Sequence, residues 1–143
     1  MDYTPHDSVV VNAVLCREVL EEKNGLITPV RLFENIDYPV GTNDLPEFFI
    51  VCVMKCFNAQ EAKHAIGVHI ISPSGEREVL DPGSPVTFGG KGEDMPLGLL
   101  HIVTARLKIP GPGAYWLEIW IDGKFGTRLM IFFRSLGNNE APT

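Results

Sequence analysis

Residues 109–133 restrict what this chain can fold into more than any other stretch. They read Ile-Pro-Gly-Pro-Gly-Ala-Tyr-Trp-Leu-Glu-Ile-Trp-Ile-Asp-Gly-Lys-Phe-Gly-Thr-Arg-Leu-Met-Ile-Phe-Phe, two β-rich runs flanking Asp122-Gly123. Asp-Gly readily takes the positive φ angles of a type I′ turn, so the runs fold back on each other as an antiparallel hairpin. The Pro-Gly-Pro-Gly before Ala114 stops any earlier element and restarts the chain as an extended strand.

Further strands are legible upstream. Residues 9–16 are an apolar run of mostly β-branched side chains and read as a buried first strand. Residues 17–23, rich in glutamate, fit a helical turn or a strand extension equally. Asn24-Gly25 is a turn signal, and residues 26–33 follow as a strand that Pro29 places at a sheet edge or on a bulge. Residues 35–46, with their Pro, Gly, Asn and Asp, read as a loop. Residues 48–57 form the clearest internal strand, with Phe48, Ile50, Cys52, Met54 and Cys56 on one face and Phe49, Val51, Val53, Lys55 and Phe57 on the other. Apolar residues on both faces require cover on both, from a second sheet, a loop or another subunit. Residues 58–63 turn the chain, 64–71 and 77–80 are strands about the turn Ser72-Pro73-Ser74-Gly75, and 81–96 read as a loop. Residues 97–109 are a long strand before the closing hairpin. This count predicts an all-β chain, an immunoglobulin-like antiparallel β-sandwich of about eight or nine strands. Residues 8–134 form the single domain, with 1–7 and 135–143 as flexible termini.

Composition narrows the partners. The chain has 143 residues, 45% apolar and 21% charged, enough to bury a core without covalent staples. Its net charge of −6, with 12 scattered Lys and Arg, lacks the basic footprint of a nucleic-acid binder. No segment is apolar for the roughly 18 to 20 residues of a membrane span, and the N-terminus lacks the form of a secretory signal. Cys52 and Cys56 on one strand lie about 13 Å apart, beyond disulfide reach, and Cys16 has no partner. A reducing cytoplasm fits this usage.

Signals of catalysis are sparse. Gly89-Gly90-Lys91-Gly92 lacks the Ser or Thr and the following helix of a phosphate loop, and reads as a hairpin loop. Among the histidines His6, His64, His69 and His101, none has metal-ligand spacing; His64 and His69 face opposite sides of a strand. Ser74 and Ser84 sit in turns, and Cys52 and Cys56 alternate with core side chains. No cofactor, metal site or catalytic residue is expected.

Trp116, Glu118 and Trp120 carry the better claim. They alternate with Tyr115, Leu117, Ile119 and Ile121, so only one set can face the core. With the aliphatic set inside, two tryptophans flank a glutamate on an outer surface of the kind binding faces use. The hairpin register decides the surroundings. A strict two-residue loop pairs Trp116 with Leu129, whereas a bulge at Gly126 aligns Leu129 and Ile131 with the aliphatic set.

The opening residues 11–18, Val-Asn-Ala-Val-Leu-Cys-Arg-Glu, the turn region 21–27, Pro73-Ser74-Gly75, Pro112-Gly113-Ala114-Tyr115 and Asp122-Gly123 together resemble a bacterial family of small immunoglobulin-like β-sandwich domains of unknown function. The resemblance spans residues 8–133 and implies a sandwich and a bacterial origin, with no activity to carry over. Arg17 stands where the family pattern has an acidic residue. The function expected is a non-catalytic protein-interaction or assembly module, with a protein partner or a second copy as a homodimer. Its first contact surface is Trp116, Glu118 and Trp120, and its second is Val51, Val53 and Lys55. The alternatives are a small-ligand or carbohydrate-binding sandwich, whose tryptophans stack on sugar rings, and a hydrolase with His69 or His101 beside a carboxylate.

Overall fold

Side-chain alternation of period two runs through most of the chain, and the backbone follows it. The computed structural model describes residues 2–23, 26–39, 41, 45–57, 62–89 and 97–136. Among these it forms nine strands and no helix: β1 (Val9–Glu21), β2 (Ile27–Leu32), β3 (Asn35–Pro39), β4 (Phe48–Cys56), β5 (Lys63–Ile71), β6 (Arg77–Thr87), β7 (Leu97–Ala105), β8 (Gly113–Ile121) and β9 (Lys124–Leu136). A four-stranded sheet has the order β2-β1-β4-β7, and a five-stranded sheet the order β3-β9-β8-β5-β6. Every pairing is antiparallel except β3 with β9. The core lies between the sheets, where Ile50 and Met54 of one meet Ile66, Leu117, Ile119 and Ile131 of the other.

The closing hairpin forms as its sequence dictates. Asp122 (φ 52°) and Gly123 (φ 74°) make the turn, and Ile121 and Trp120 pair with Lys124 and Phe125. The register then shifts, so that Ile119 faces Thr127 and Trp116 faces Met130. Gly126 is the bulge residue. A Cβ there would stand 2.7 Å from the Ile119 carbonyl oxygen and 3.2 Å from Val11 Cγ2. The bulge turns Tyr115, Leu117, Ile119 and Ile121 into the core and the tryptophan set outward.

Some elements settle what the sequence left open, and others depart from expectation. Residues 17–21 extend the first strand. Residues 35–39, expected as loop, form β3, and residues 81–87 belong to β6. Both are edge strands, where a proline's missing donor faces outward without cost to a ladder. Pro29 lies on β2, also an edge. The terminus expected to be loose is held: Phe125 N–H donates to the Thr4 carbonyl, and His6 N–H to the Phe125 carbonyl. Asn24-Gly25, residues 58–61, Gly90-Lys91-Gly92 and the tail 137–143 lie outside the described residues.

Candidate functional site

The outer face of the five-stranded sheet carries Trp116, Glu118 and Trp120, and the N-terminal segment covers much of it. Glu118 is fully buried and Trp120 nearly so, while Trp116 is half-buried. Arg77 of β6 reaches across β5 to donate from Nη1 to Glu118 Oε1 at 2.5 Å, and the Trp120 indole N–H donates to the same oxygen at 3.1 Å. Arg77 Nη2 donates to the Tyr3 hydroxyl at 2.9 Å. Burial alone would raise the Glu118 carboxyl, but the hydrogen bond from Arg77, with Tyr3, the Arg77 charge and Trp120 adding to it, holds it below the usual range. Tyr3 lies 5.6 Å from Trp120 between ring centroids, and His69 stacks on that indole at 5.5 Å. The Arg128 guanidinium sits 3.9 Å over the Trp116 ring.

Beside Trp120 a cleft of about 270 Å³ is lined by His69, Gly67, Gly83 and Asp2. His69 Nδ1 lies 2.9 Å from Arg77 Nη1, which can only donate, so its other nitrogen carries the proton. Burial, then the charge of Arg77, holds this imidazole below its usual value, opposed by Glu118. The cleft therefore offers one N–H donor and one carboxylate. Tyr3 and His69 already pack on the Trp120 ring, which leaves little of it for a sugar.

A second cluster joins three distant segments. Asp122 Oδ2 lies 2.5 Å from His64 Nδ1 and 3.0 Å from His6 Nε2, while Oδ1 accepts the Ala65 N–H at 2.8 Å. His64 Nε2 is 3.5 Å from Cys56 Sγ. Burial would raise the Asp122 carboxyl, but the hydrogen bonds from His64, Ala65 and His6 outweigh it and hold it low. The ligand atoms of His6, His64 and Asp122 all lie within 4.8 Å of one another, the one group among the described residues with the spacing to hold a metal ion. Its hydrogen bonds argue otherwise. His6 Nδ1 accepts the Ser8 and Val9 N–H groups, both at 3.1 Å, so Nε2 carries the proton and donates to Asp122 instead of offering a lone pair. Cys56, His64 and Asp122 also have the order of a nucleophile triad, but Cys56 is fully buried on the core side, out of reach of a substrate. The cluster's evident work is to tie the N-terminal segment to the hairpin turn. Sequence spacing could not have found it, because Asp122 reads as a turn residue and lies 58 positions from His64.

His69 and His101 are not brought together. His69 is on the outer face of β5, whereas His101, on β7 of the other sheet, pairs with Cys52 of β4. The second expected surface is divided. Val51 is buried between Val14 and Ile102, while Val53 and Lys55 are exposed. Val53 sits in a solvent-facing set with Val10, Val14 and Leu100, each 39% to 52% exposed.

A model of a family of unknown function (DUF6941) matches residues 12–134. No curated protein matches the chain. Among solved structures the chain is similar to Pseudomonas fluorescens alkylpurine DNA glycosylase AlkC bound to DNA containing an abasic site analog, at 8% identity and a TM-score of 0.46. That likeness covers 89% of this chain and 30% of the other, and at such a score it carries no argument about function.

Proposed function

The chain belongs to the DUF6941 family of unknown function, and from its surfaces we propose that it is a non-catalytic protein-interaction or assembly module of immunoglobulin-like architecture. The observation that carries the reading is the outer face of the four-stranded sheet. Val10, Val14, Val53 and Leu100 face solvent on three neighbouring strands, with Asn12, Lys55 and Thr104 as polar residues of that face. Contiguous exposed apolar area of this kind marks contact surfaces. Two such faces stacked on each other would bury both sets, so a second copy of this chain is the partner to test first. The immunoglobulin-like description is supported by Tyr115, whose hydroxyl donates to the Gly111 carbonyl at 2.6 Å in the manner of a tyrosine corner. Three free, buried cysteines support a reducing cytoplasmic setting.

The test is sedimentation of the wild type beside a Val53→Glu, Leu100→Glu double variant over a range of concentrations. Both sites are exposed, so the variant keeps its fold, as circular dichroism would verify. A wild-type dimer that the variant loses is the expected result. A wild type that stays monomeric at high concentration, or a dimer indifferent to the substitutions, overturns the sheet face as the contact.

A further inference from the structure

The two sheets leave a seam between β1 and β9, and both sides of it are bare backbone edges. On β9 the Phe132 N–H turns away from β8 to donate to the Glu34 carbonyl. Antiparallel alternation then turns the N–H and C=O of Met130 and Arg128 the same way. Among the described residues, pairing on that side stops at Phe125 towards one end and resumes with β3 at Phe132 towards the other. Across the seam the Leu15 carbonyl accepts from Phe33 N–H, so Ala13 and Val11 also aim their backbone groups outward, while β2 joins β1 only from Cys16 onward. Between these edges lies a groove of about 810 Å³, walled by Val14, Leu32, Phe33, Leu129, Met130 and Phe132, with Glu34, Asn35 and Arg128 as its polar lining. Leu32 is 63% exposed and Met130 and Phe132 are each 48% exposed. Glu34 stands at its rim, exposed and outside every ion pair found among the described residues.

We propose that this groove takes an extended segment of another protein, added to β9 as a further strand. The segment carries apolar residues at alternate positions and a Lys or Arg beside Glu34. Two features specify the occupant. A row of backbone groups with hydrogen bonds still to make selects an extended strand over a helix, whose backbone is already satisfied. The Glu34 carboxylate, on a chain of net charge −6, selects a basic residue and repels an acidic one. The free edge spans about four to six residues, the length of an ordinary short strand. This proposal goes beyond the sheet-face contact and stands on the edge geometry, which that contact does not use.

A random decapeptide library displayed on phage, panned against the full chain, supplies the probe. The expected winners alternate apolar and polar residues and carry Lys or Arg near one end. A synthetic winner is then made in two forms, N-methylated at one or the other alternate set of amides. Methylating the set that faces β9 should weaken binding by about tenfold or more, and methylating the other set should weaken it clearly less. Glu34→Lys should weaken the same peptide by a similar factor. Met130→Pro removes one outward donor without touching the β8 ladder and should do likewise; if that variant does not fold, the N-methylated peptides decide alone. A library that enriches nothing over bare support, a peptide indifferent to both methylation patterns, or one that binds as a helix overturns the proposal. The Val53→Glu, Leu100→Glu double variant should bind the peptide normally, so loss of self-association and loss of strand binding are separately visible.

Discussion

Glu118 shows how a single buried charge organises its neighbours. Its carboxylate is out of water, and Arg77 makes that tolerable by donating to it from a position itself only partly covered. Arg77→Met should therefore lower stability by about 3 kcal/mol, because a buried carboxylate is left without its cation. The double variant Arg77→Met, Glu118→Leu should recover most of that loss, and urea denaturation of the four members of the cycle checks both. Gly126 makes a steric demand. A methyl group there meets the Ile119 carbonyl oxygen at 2.7 Å, so Gly126→Ala should cost about 1 to 3 kcal/mol on the same measurement. Of this site, the sequence shows Trp116, Glu118 and Trp120 sharing one face. It hides Arg77, Tyr3 and His69, because their meeting depends on the order β8-β5-β6 and on the fold-back of the terminus, neither of which leaves a local pattern.

Among the elements, β1, β2, β4, β5, β7, β8, β9 and the start of β6 were legible from alternation and turn signals. Those missed, β3 and the 81–87 part of β6, are the two edges of the five-stranded sheet. The β3 segment, with Tyr38 and Pro39, lies in a stretch crowded with turn formers, and it is held by the parallel pairing with β9 and by Ile36 and Tyr38 in the core. Three of the residues from Asp81 to Pro85 in β6 are Pro, Gly and Pro, and the strand survives because it pairs on one side and bulges against Val68. Composition records the breakers, not the neighbour that overrides them. The N-terminal segment is the other element that local pattern could not place. Its hold rests on Tyr3 against Trp120 and Phe125 and on His6 against Asp122. Tyr3→Ala should lower stability by about 1 kcal/mol and shift tryptophan emission to the red as Trp120 is wetted. An unchanged emission spectrum would mean that the segment does not cover the indole in solution.

For the whole molecule, the titrating groups combine into one pH profile. Burial holds His101 below its usual value, and burial with the Arg77 charge does so for His69. Glu118 and Asp122 lie below the carboxylate range. In each case the unfolded chain takes up a proton more readily than the folded one, so acid favours unfolding. Stability should be full between about pH 6.5 and 8.5, decline below that as the unfolded histidines protonate, and decline again below about pH 4. Asp122→Asn should flatten the lower limb. On the alkaline side burial pushes the Cys52 thiol up to about 12, so stability should sag once the unfolded thiol ionises above about pH 8.5. Urea midpoints from pH 3 to 10 check the three limbs. The parallel pairing of β3 with β9 has a consequence in time. A ribosome has released every strand of the four-stranded sheet once Ala105 is out, yet Asp37 must wait for Arg134, 97 residues later. At about 5 to 20 residues per second, that delay is of the order of 5 to 20 seconds. Throughout it the nascent chain displays β3 and the bare edge of β1 to whatever binds unfinished sheets.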